Sequence, residues 1–395
     1  MMSDTLMTNY APQPVSFTHG EGVWLWDKDG KRYLDAVSGI AVCSLGHAHP
    51  AISKAICEQS ARLMHTSNLY QIEQQQQLAD RLTALAGMDR AFFCNSGAEA
   101  NEAAIKIARL YGHNNGIEKP TIIVTENSFH GRTMATLTAT GNRRVQAGFE
   151  PLVQGFVRVP YNDLDAIRHV AQNNSNVVAV LVEPVQGEGG VNIPDDDYLD
   201  GLREICDTND WLLMLDEIQT GMCRTGEWFA FQHTQCRPDV ITLAKALGNG
   251  MPIGACLARG KAAETFKPGS HGTTYGGNPL ACHTALAVID TMETLSLTQH
   301  VKELATQIMG DFQQHLTGNE HVVSIRNKGL LIGIELDQPC AELVANAREQ
   351  GILINVTAEK VVRLLPPLII SYDEAGMIVK QVSELINDFC LRLAS

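Results

Sequence analysis

Two residues in the middle of the chain stand where chemistry would be expected, because each follows directly on an apolar run. Trp211-Leu212-Leu213-Met214-Leu215 leads into Asp216-Glu217-Ile218-Gln219, and Val240-Ile241-Thr242-Leu243 leads into Ala244-Lys245-Ala246. In an open α/β sheet ligands lie beyond the carboxyl ends of the strands, which is the place both residues would take. A lysine at a strand mouth between two alanines is partly desolvated, so its ammonium is disfavoured and a nucleophilic amine becomes accessible. The small neighbours leave room for a flat cofactor. A carboxylate on the adjacent strand suits a protonated pyridine nitrogen, whose ring can then accept the electrons of a carbanion. Taken singly, a strand-end Lys or Asp is an ordinary surface residue; the pair gains meaning from its surroundings.

Those surroundings carry further chemistry. Phe93-Cys94-Asn95-Ser96-Gly97-Ala98-Glu99 takes a strand into a helix, with Ser96 and Glu99 spaced as a capping box. Such a helix start is either a cap and nothing more, or an anion site suited to a phosphate. No Gly-Lys-Ser/Thr follows it, and Gly187-Glu188-Gly189-Gly190 lacks the dinucleotide glycine spacing. Phe129-His130-Gly131-Arg132 places an aromatic ring, able to stack on a pyridine, beside a guanidinium able to grip a carboxylate. Alone, Phe129 would be core and Arg132 a solvated charge. Glu183 ends the apolar run Val177 to Val182, and Arg363 lies inside the apolar run Val361 to Leu365, where an unpaired charge is costly. A Glu183–Arg363 ion pair would satisfy both. The stretch His271 to Pro279, with Thr273 and Thr274, is rich in hydroxyls and glycines and reads as an ordered functional loop that could hold phosphate oxygens. His47 and His49 have no third ligand at a suitable spacing, so no metal is expected.

The elements that must position these residues are seven short β-rich runs: Ala91 to Cys94, Thr121 to Thr125, Phe156 to Val159, Val177 to Val182, Trp211 to Leu215, Val240 to Leu243 and Gly254 to Leu257. Runs apolar on both faces and separated by crossover-sized segments predict a largely parallel sheet with helices on both sides. A surface-packed helix is expected from about Leu69 to Ala86 and a hairpin over Val23 to Tyr33, turning near Asp29-Gly30. From about Val288 the pattern becomes α+β: a long helix, a strand over Gly329 to Leu336, another helix, Val361 to Leu365 and a final amphipathic helix. The expected division is 1–49, an N-terminal part of a smaller domain; 50–287, a large domain; and 288–395, the rest of the smaller one.

Composition narrows the class of protein. With 395 residues, 45% hydrophobic and 19% charged, the chain has the make-up of a folded globular protein. A formal net charge of -14 disfavours nucleic acid as a partner. Ten scattered cysteines without a Cys-x-x-Cys pair read as reduced thiols. The first twenty residues lack the basic and apolar parts of a secretory signal, and no apolar run approaches a membrane span; the expectation is a soluble, cytoplasmic protein with no membrane partner.

Taken in order along the chain, Ser96-Gly97-Ala98-Glu99-Ala100-Asn101, Phe129-His130-Gly131-Arg132, Glu183-Pro184-Val185-Gln186-Gly187, Asp216-Glu217-Ile218-Gln219, the Lys245 segment and Gly272 to Pro279 resemble the signature blocks of the class III aminotransferases of pyridoxal-phosphate (PLP) fold type I. The resemblance runs from about Gly22 to the C-terminus. It implies an α/β fold with a mostly parallel seven-stranded sheet covered by helices, plus a smaller α+β domain from the two terminal segments. It also implies that PLP is the cofactor and Lys245 its Schiff-base lysine, with Asp216 on the pyridine nitrogen and Phe129 on the ring. Ser96, Gly97 and Ala98 would lie at the phosphate, and Glu217, Ile218 and Gln219 around the ring, with Gln219 at its hydroxyl. Thr274 would reach the phosphate from a partner subunit, making a homodimer with shared sites.

Within the family, Ser38-Gly39-Ile40-Ala41-Val42 before Gly46-His47, the run His65 to Tyr70, and Arg132 are most similar to the branch that moves the δ-amino group of N2-acetylornithine to 2-oxoglutarate in arginine biosynthesis. Ile40 stands where ornithine aminotransferases carry a tyrosine, and an apolar residue suits an acylated substrate. The resemblance thus places Arg132, Thr273, Glu183, Arg363 and Ile40 around the substrate, with the Glu183–Arg363 pair closed for the ω-amine donor and open for glutamate. Other readings are a relative acting on succinylornithine, succinyl-diaminopimelate, ornithine or 4-aminobutyrate, a non-transaminating PLP enzyme, and a non-catalytic PLP-binding or nucleotide-binding protein.

Overall fold

The computed structural model describes residues 5–393. Its centre is a seven-stranded sheet in the order Arg90–Cys94, Gly254–Ala258, Val240–Leu243, Leu212–Asp216, Val177–Val182, Thr121–Thr125 and Phe156–Val159. Only Gly254–Ala258 runs against its neighbours; the other strands share one direction. Successive side chains point to opposite sides, and the five inner strands, Gly254–Ala258 through Thr121–Thr125 in that order, are buried on both faces. Val180, Val182, Leu213, Leu215, Ile241 and Leu243 pack with Leu199, Leu202 and Ile205 of the helix Tyr198–Asn209. The residues between them, Ala179, Leu181, Leu212, Met214 and Val240, pack with Ala104, Ile107 and Ala108 of the helix Gly97–Asn114. Burial of each large aliphatic side chain contributes roughly 1.5–3 kcal/mol, so this double-sided core fixes where the strands end.

Asp216 lies in register with Thr242 on the parallel neighbour, and the chain reaches Lys245 three residues later. The two expected functional residues therefore leave the sheet along the same edge.

A smaller domain uses both ends of the chain. The hairpin Trp24–Asp27 and Arg32–Asp35 forms as expected, with Gly30 at φ 80° in its turn, and Phe17–Glu21 adds a strand outside it. Ile352–Leu353 then pairs in parallel with Leu34–Asp35. A second antiparallel sheet has the order Val322–Lys328, Leu331–Leu336, Val361–Leu364 and Asn355–Thr357; the helix Leu297–His315 packs on its first strand and on the helix Tyr372–Leu393.

Some boundaries differ from expectation. The helix predicted from Leu69 begins at Glu73, and Leu69 and Tyr70 are exposed in the turn before it. The strand predicted from Gly329 begins at Leu331, because Gly329 is itself in a left-handed turn at φ 59°. His49 caps the helix Pro50–Ser60, accepting from Ala51 N, and His47 Nε2 meets Asp35 Oδ2 at 2.8 Å. Both histidines thus have structural partners.

Candidate active site

The largest concentration of predicted residues surrounds a cavity of about 420 Å³ at the carboxyl ends of the strands. Ser96, Gly97, Ala98, Phe129, Arg132, Glu183, Asp216, Ile218, Gln219 and Lys245 all line it.

Lys245 is half-buried at the start of a short turn, and its backbone sits at φ 46°, a left-handed conformation that a non-glycine residue holds only under constraint from its surroundings. Burial lowers its ammonium pKa to about 8, helped by the nearby Arg363 guanidinium and opposed by Asp216, Glu183 and Glu188. The amine is therefore available near neutral pH.

Asp216 is 4% exposed and held on both oxygens. Its Oδ2 accepts from Asn101 Nδ2 at 2.7 Å and pairs with His130 Nδ1 at 2.8 Å, while Oδ1 accepts from Ile218 N at 3.1 Å. Asn101 and His130 are functional neighbours that sequence reasoning did not single out. Each had a signal in its motif, His130 between Phe129 and Gly131 and Asn101 at the end of the block that starts at Ser96, but residue type gave neither a partner.

At the other side of the cavity, Ser96 Oγ caps the helix Gly97–Asn114 by accepting from Glu99 N at 3.3 Å. The return bond differs from a standard capping box: Glu99 Oε2 accepts from Asn95 N at 2.7 Å, not from Ser96 N. Gly97 lets Ile218 pack against the helix start, where a Cβ would meet Ile218 Cδ1 at 2.7 Å and push that side chain aside. First-turn N–H groups of an 18-residue helix and a wall without a side chain suit a phosphate.

The expected Glu183–Arg363 ion pair is not formed. Arg363 Nη1 instead pairs with Glu188 Oε2 at 3.0 Å, and its Nη2 donates to Asn355 Oδ1 at 2.7 Å. Glu183 is occupied by backbone donors, Phe129 N at 2.9 Å and Gly187 N at 3.3 Å, because it is fixed at the strand end directly beneath them. Its burial pushes its pKa up to about 7, the His130 imidazole opposing and Asp216 adding to the rise. Arg363 is 1% exposed while the Glu188 side chain is 48% exposed, so the carboxylate is the partner free to leave.

Five predicted residues are not in the cavity lining, and one of them, Arg363, is paired to Glu188, which is. Glu217 turns into the core, accepting from Phe231 N at 2.9 Å and from the Thr220 hydroxyl, because alternation along the strand end sends it away from Asp216. Thr273 Oγ1 accepts from Asn95 Nδ2 at 3.3 Å, behind the wall, and Thr274 is exposed on the outer surface. Ile40 is 41% exposed at the rim, and Val42 provides the lining instead. Arg132 is itself exposed, its Cζ 5.5 Å from the centroid of the Phe129 ring.

A reactive amine and an anchored carboxylate share this cavity with an anion-binding helix start, and the comparisons with known proteins point the same way. Residues 6–386 match the family model for aminotransferase class-III. The chain belongs to the class-III aminotransferases. Among curated relatives of this family, an acetylornithine aminotransferase from Nitrosomonas europaea is 61% identical over 97% of this chain and 98% of its own length. An acetylornithine aminotransferase 1 from Bordetella pertussis is 53% identical over 98% and 99%. Among solved structures, the ornithine aminotransferase of Toxoplasma gondii has a TM-score of 0.94 at 34% identity, covering 98% of this chain and 93% of that one. The acetylornithine aminotransferase of Elizabethkingia anophelis has a TM-score of 0.86 at 34% identity, covering 97% and 96%. The fold is PLP fold type I, and the protein is a PLP-dependent transaminase. The cavity fits that cofactor, because the side-chain-free wall at Gly97, the buried Asp216 carboxylate and the desolvated Lys245 amine present complementary groups to its phosphate, ring nitrogen and aldehyde.

Proposed function

We propose that this aminotransferase moves the δ-amino group of N2-acetylornithine to 2-oxoglutarate, giving N-acetylglutamate 5-semialdehyde and glutamate. The observation that carries the reading is the Arg363–Glu188 pair, a buried guanidinium covered by a half-exposed carboxylate. Two substrates with different needs use one cavity. An ω-amine donor has no carboxylate on its reacting carbon and is served by a neutralised arginine; glutamate has one and needs that arginine free. Supporting the acylated donor are the apolar Val42 and Ile40 at the cavity and its rim, and the names of the relatives described above.

Bound PLP supplies an electron-accepting ring that stabilises the charge left when the amino-bearing carbon loses its proton. Ser96, Gly97 and Ala98 would hold the phosphate and Asp216 the ring nitrogen, while Ile218 and Gln219 border the ring. Lys245 would hold the cofactor through its Nζ, and its amine would move the proton at that carbon as general base and then acid. Its pKa of about 8 leaves part of it neutral at physiological pH. Glu183 fixes the Phe129 backbone, so that the Phe129 ring forms one wall of the ring site. Arg132, at the exposed rim, takes the distal carboxylate of the donor.

The same reading includes a cytoplasmic homodimer in which Thr274 completes the partner's phosphate site. Its exposed position beside Tyr275, 63% exposed, and Leu69, 86% exposed, supports that assignment. The partition at 1–49, 50–287 and 288–395 is proposed on the pairing of Ile352–Leu353 with Leu34–Asp35, which joins the two ends of the chain.

A donor panel with 2-oxoglutarate as acceptor tests the function. N2-acetylornithine is expected to give the highest kcat/KM, ahead of N2-succinylornithine, ornithine and 4-aminobutyrate. A higher value for ornithine or 4-aminobutyrate would sink the proposal.

A further inference from the structure

Asp216 reaches the cavity from the end of a strand, yet the residue that orients it comes from a helix. Asn101 is fully buried on Gly97–Asn114 and has three polar partners. Its Nδ2 donates to Asp216 Oδ2 at 2.7 Å and to the His130 carbonyl at 2.8 Å, while its Oδ1 accepts from Thr242 Oγ1 at 2.8 Å. The Asp216 carboxylate and the His130 carbonyl can only accept, so they set which end of the amide faces Asp216, and the Thr242 hydroxyl satisfies the amide oxygen at the other end. Asn101 and His130 both take up Oδ2, Oδ1 accepts from Ile218 N, and the Asp216 side chain so held lines the cavity.

From these contacts we infer that Asn101 is a positioning residue for the cofactor, acting through Asp216. The inference rests on Asp216 as the partner of the ring nitrogen. Donors to a carboxylate favour its charged form, and a carboxamide donor, unlike an imidazole, is not lost or gained as pH changes. Asn101 thus holds Asp216 in place with a donor that does not change with pH. There is a mechanical consequence as well. Asn101 lies about one turn along the helix whose first residues form the phosphate cradle, so one rigid element sets the spacing between the grips on the two ends of the cofactor.

The test uses the holoenzyme with Asn101→Ala, Asn101→Asp, Thr242→Val and Asp216→Asn. Its readouts are the pH titration of the bound cofactor's visible absorbance, the cofactor dissociation constant, and kcat and KM separately. Asn101→Ala is expected to weaken cofactor binding about tenfold, the scale of one hydrogen bond to a charged group, and to shift the midpoint of the absorbance titration. It should lower kcat with little change in KM. Asn101→Asp sets a second carboxylate against Asp216, so the two share a proton and a new titration step enters the absorbance profile. Thr242→Val, which removes the donor to the amide oxygen and so loosens the Asn101 side chain, should give a smaller shift in the same direction as Asn101→Ala, and it carries the test if Asn101→Ala does not fold. If Asp216→Asn changes the spectrum and binding while neither Asn101→Ala nor Thr242→Val moves the absorbance titration, the positioning role is overturned. If Asp216→Asn itself leaves spectrum and binding unchanged, it is the assignment of Asp216 that fails.

Discussion

Lys245 carries a stability cost that the cofactor relieves. Burial, together with the nearby Arg363 guanidinium, lowers its pKa from 10.5 to about 8, so the unfolded chain binds the proton more tightly than the folded one. Stability therefore rises with pH between about 8 and 10.5, and below about 8 the full cost is present, on the order of 3 kcal/mol at most. Cofactor-free Lys245→Met is expected to melt above the cofactor-free parent at pH 7, with the gap closing across that window. Melting curves from pH 6 to 10.5 would show this, and a variant less stable than the parent at pH 7 would contradict it. The pairing of Arg363 with Glu188 makes a second expectation at this scale. Arg363→Ala should slow the glutamate half-reaction about 100-fold more than the acetylornithine one, as loss of a buried charged grip requires. Glu188→Gln, by uncovering the arginine, should lower the KM for glutamate. Single-turnover traces of each half-reaction separate these effects, and equal losses in both would remove the switch.

Among the elements, the strands were legible from sequence and the partnerships between distant side chains were not. All seven strands of the large sheet follow from short β-rich runs; the five inner ones are buried on both faces, while Arg90–Cys94 and Phe156–Val159 at the edges are partly exposed and still carry enough apolar residues to be read. Val322–Lys328 escaped notice because it is half-exposed and carries Ser324, Arg326, Asn327 and Lys328. Pairings such as Glu188 with Arg363 or Asn101 with Asp216 join residues far apart in sequence, and residue type alone could not choose Glu188 over Glu183. One feature at the cavity rim left no trace in the residue pattern. Ser38, Gly39, Ile40 and Ala41 take φ values of 47°, 65°, 64° and 60°, a left-handed turn in which a β-branched residue is strained. Asp35 Oδ1 clamps it by accepting from Val37 N and Ser38 N, at 2.9 and 2.8 Å, and Ser38 Oγ donates to Leu365 O at 2.7 Å. Replacing Ile40 with Gly removes the strain and should raise stability by about 1 kcal/mol, whereas Ile40→Ala, which keeps a Cβ, should gain less. Denaturant midpoints for the two variants decide this; a loss for Ile40→Gly would mean that the side chain is packed rather than strained.

For the whole molecule, what lies outside the cavity matters as much as what lines it. Leu63, Met64, Leu69, Tyr70 and Tyr275 are 50%, 56%, 86%, 70% and 63% exposed, and the His65 and Tyr275 rings lie 5.3 Å apart. These residues come from the segment before the helix Glu73–Ala86 and from the loop that carries Thr274, which Asn68 ties together by donating to the carbonyls of Thr273 and Gly276. Exposed apolar residues grouped on two segments tied to each other are a candidate for cover by another protein surface, and the same loop backs onto Asn95 at the cavity wall. If a second copy covers the patch, as the proposed homodimer requires, assembly and cofactor retention are linked, because Thr274 of each chain serves the site of the other. Leu69→Glu should then convert the dimer to a monomer by light scattering and weaken cofactor binding about tenfold, although Leu69 itself is not among the cavity residues. Dissociation with undiminished cofactor affinity would separate the interface from the site and leave Thr274 without its role, while a parent protein already monomeric when saturated with cofactor would remove the shared site altogether.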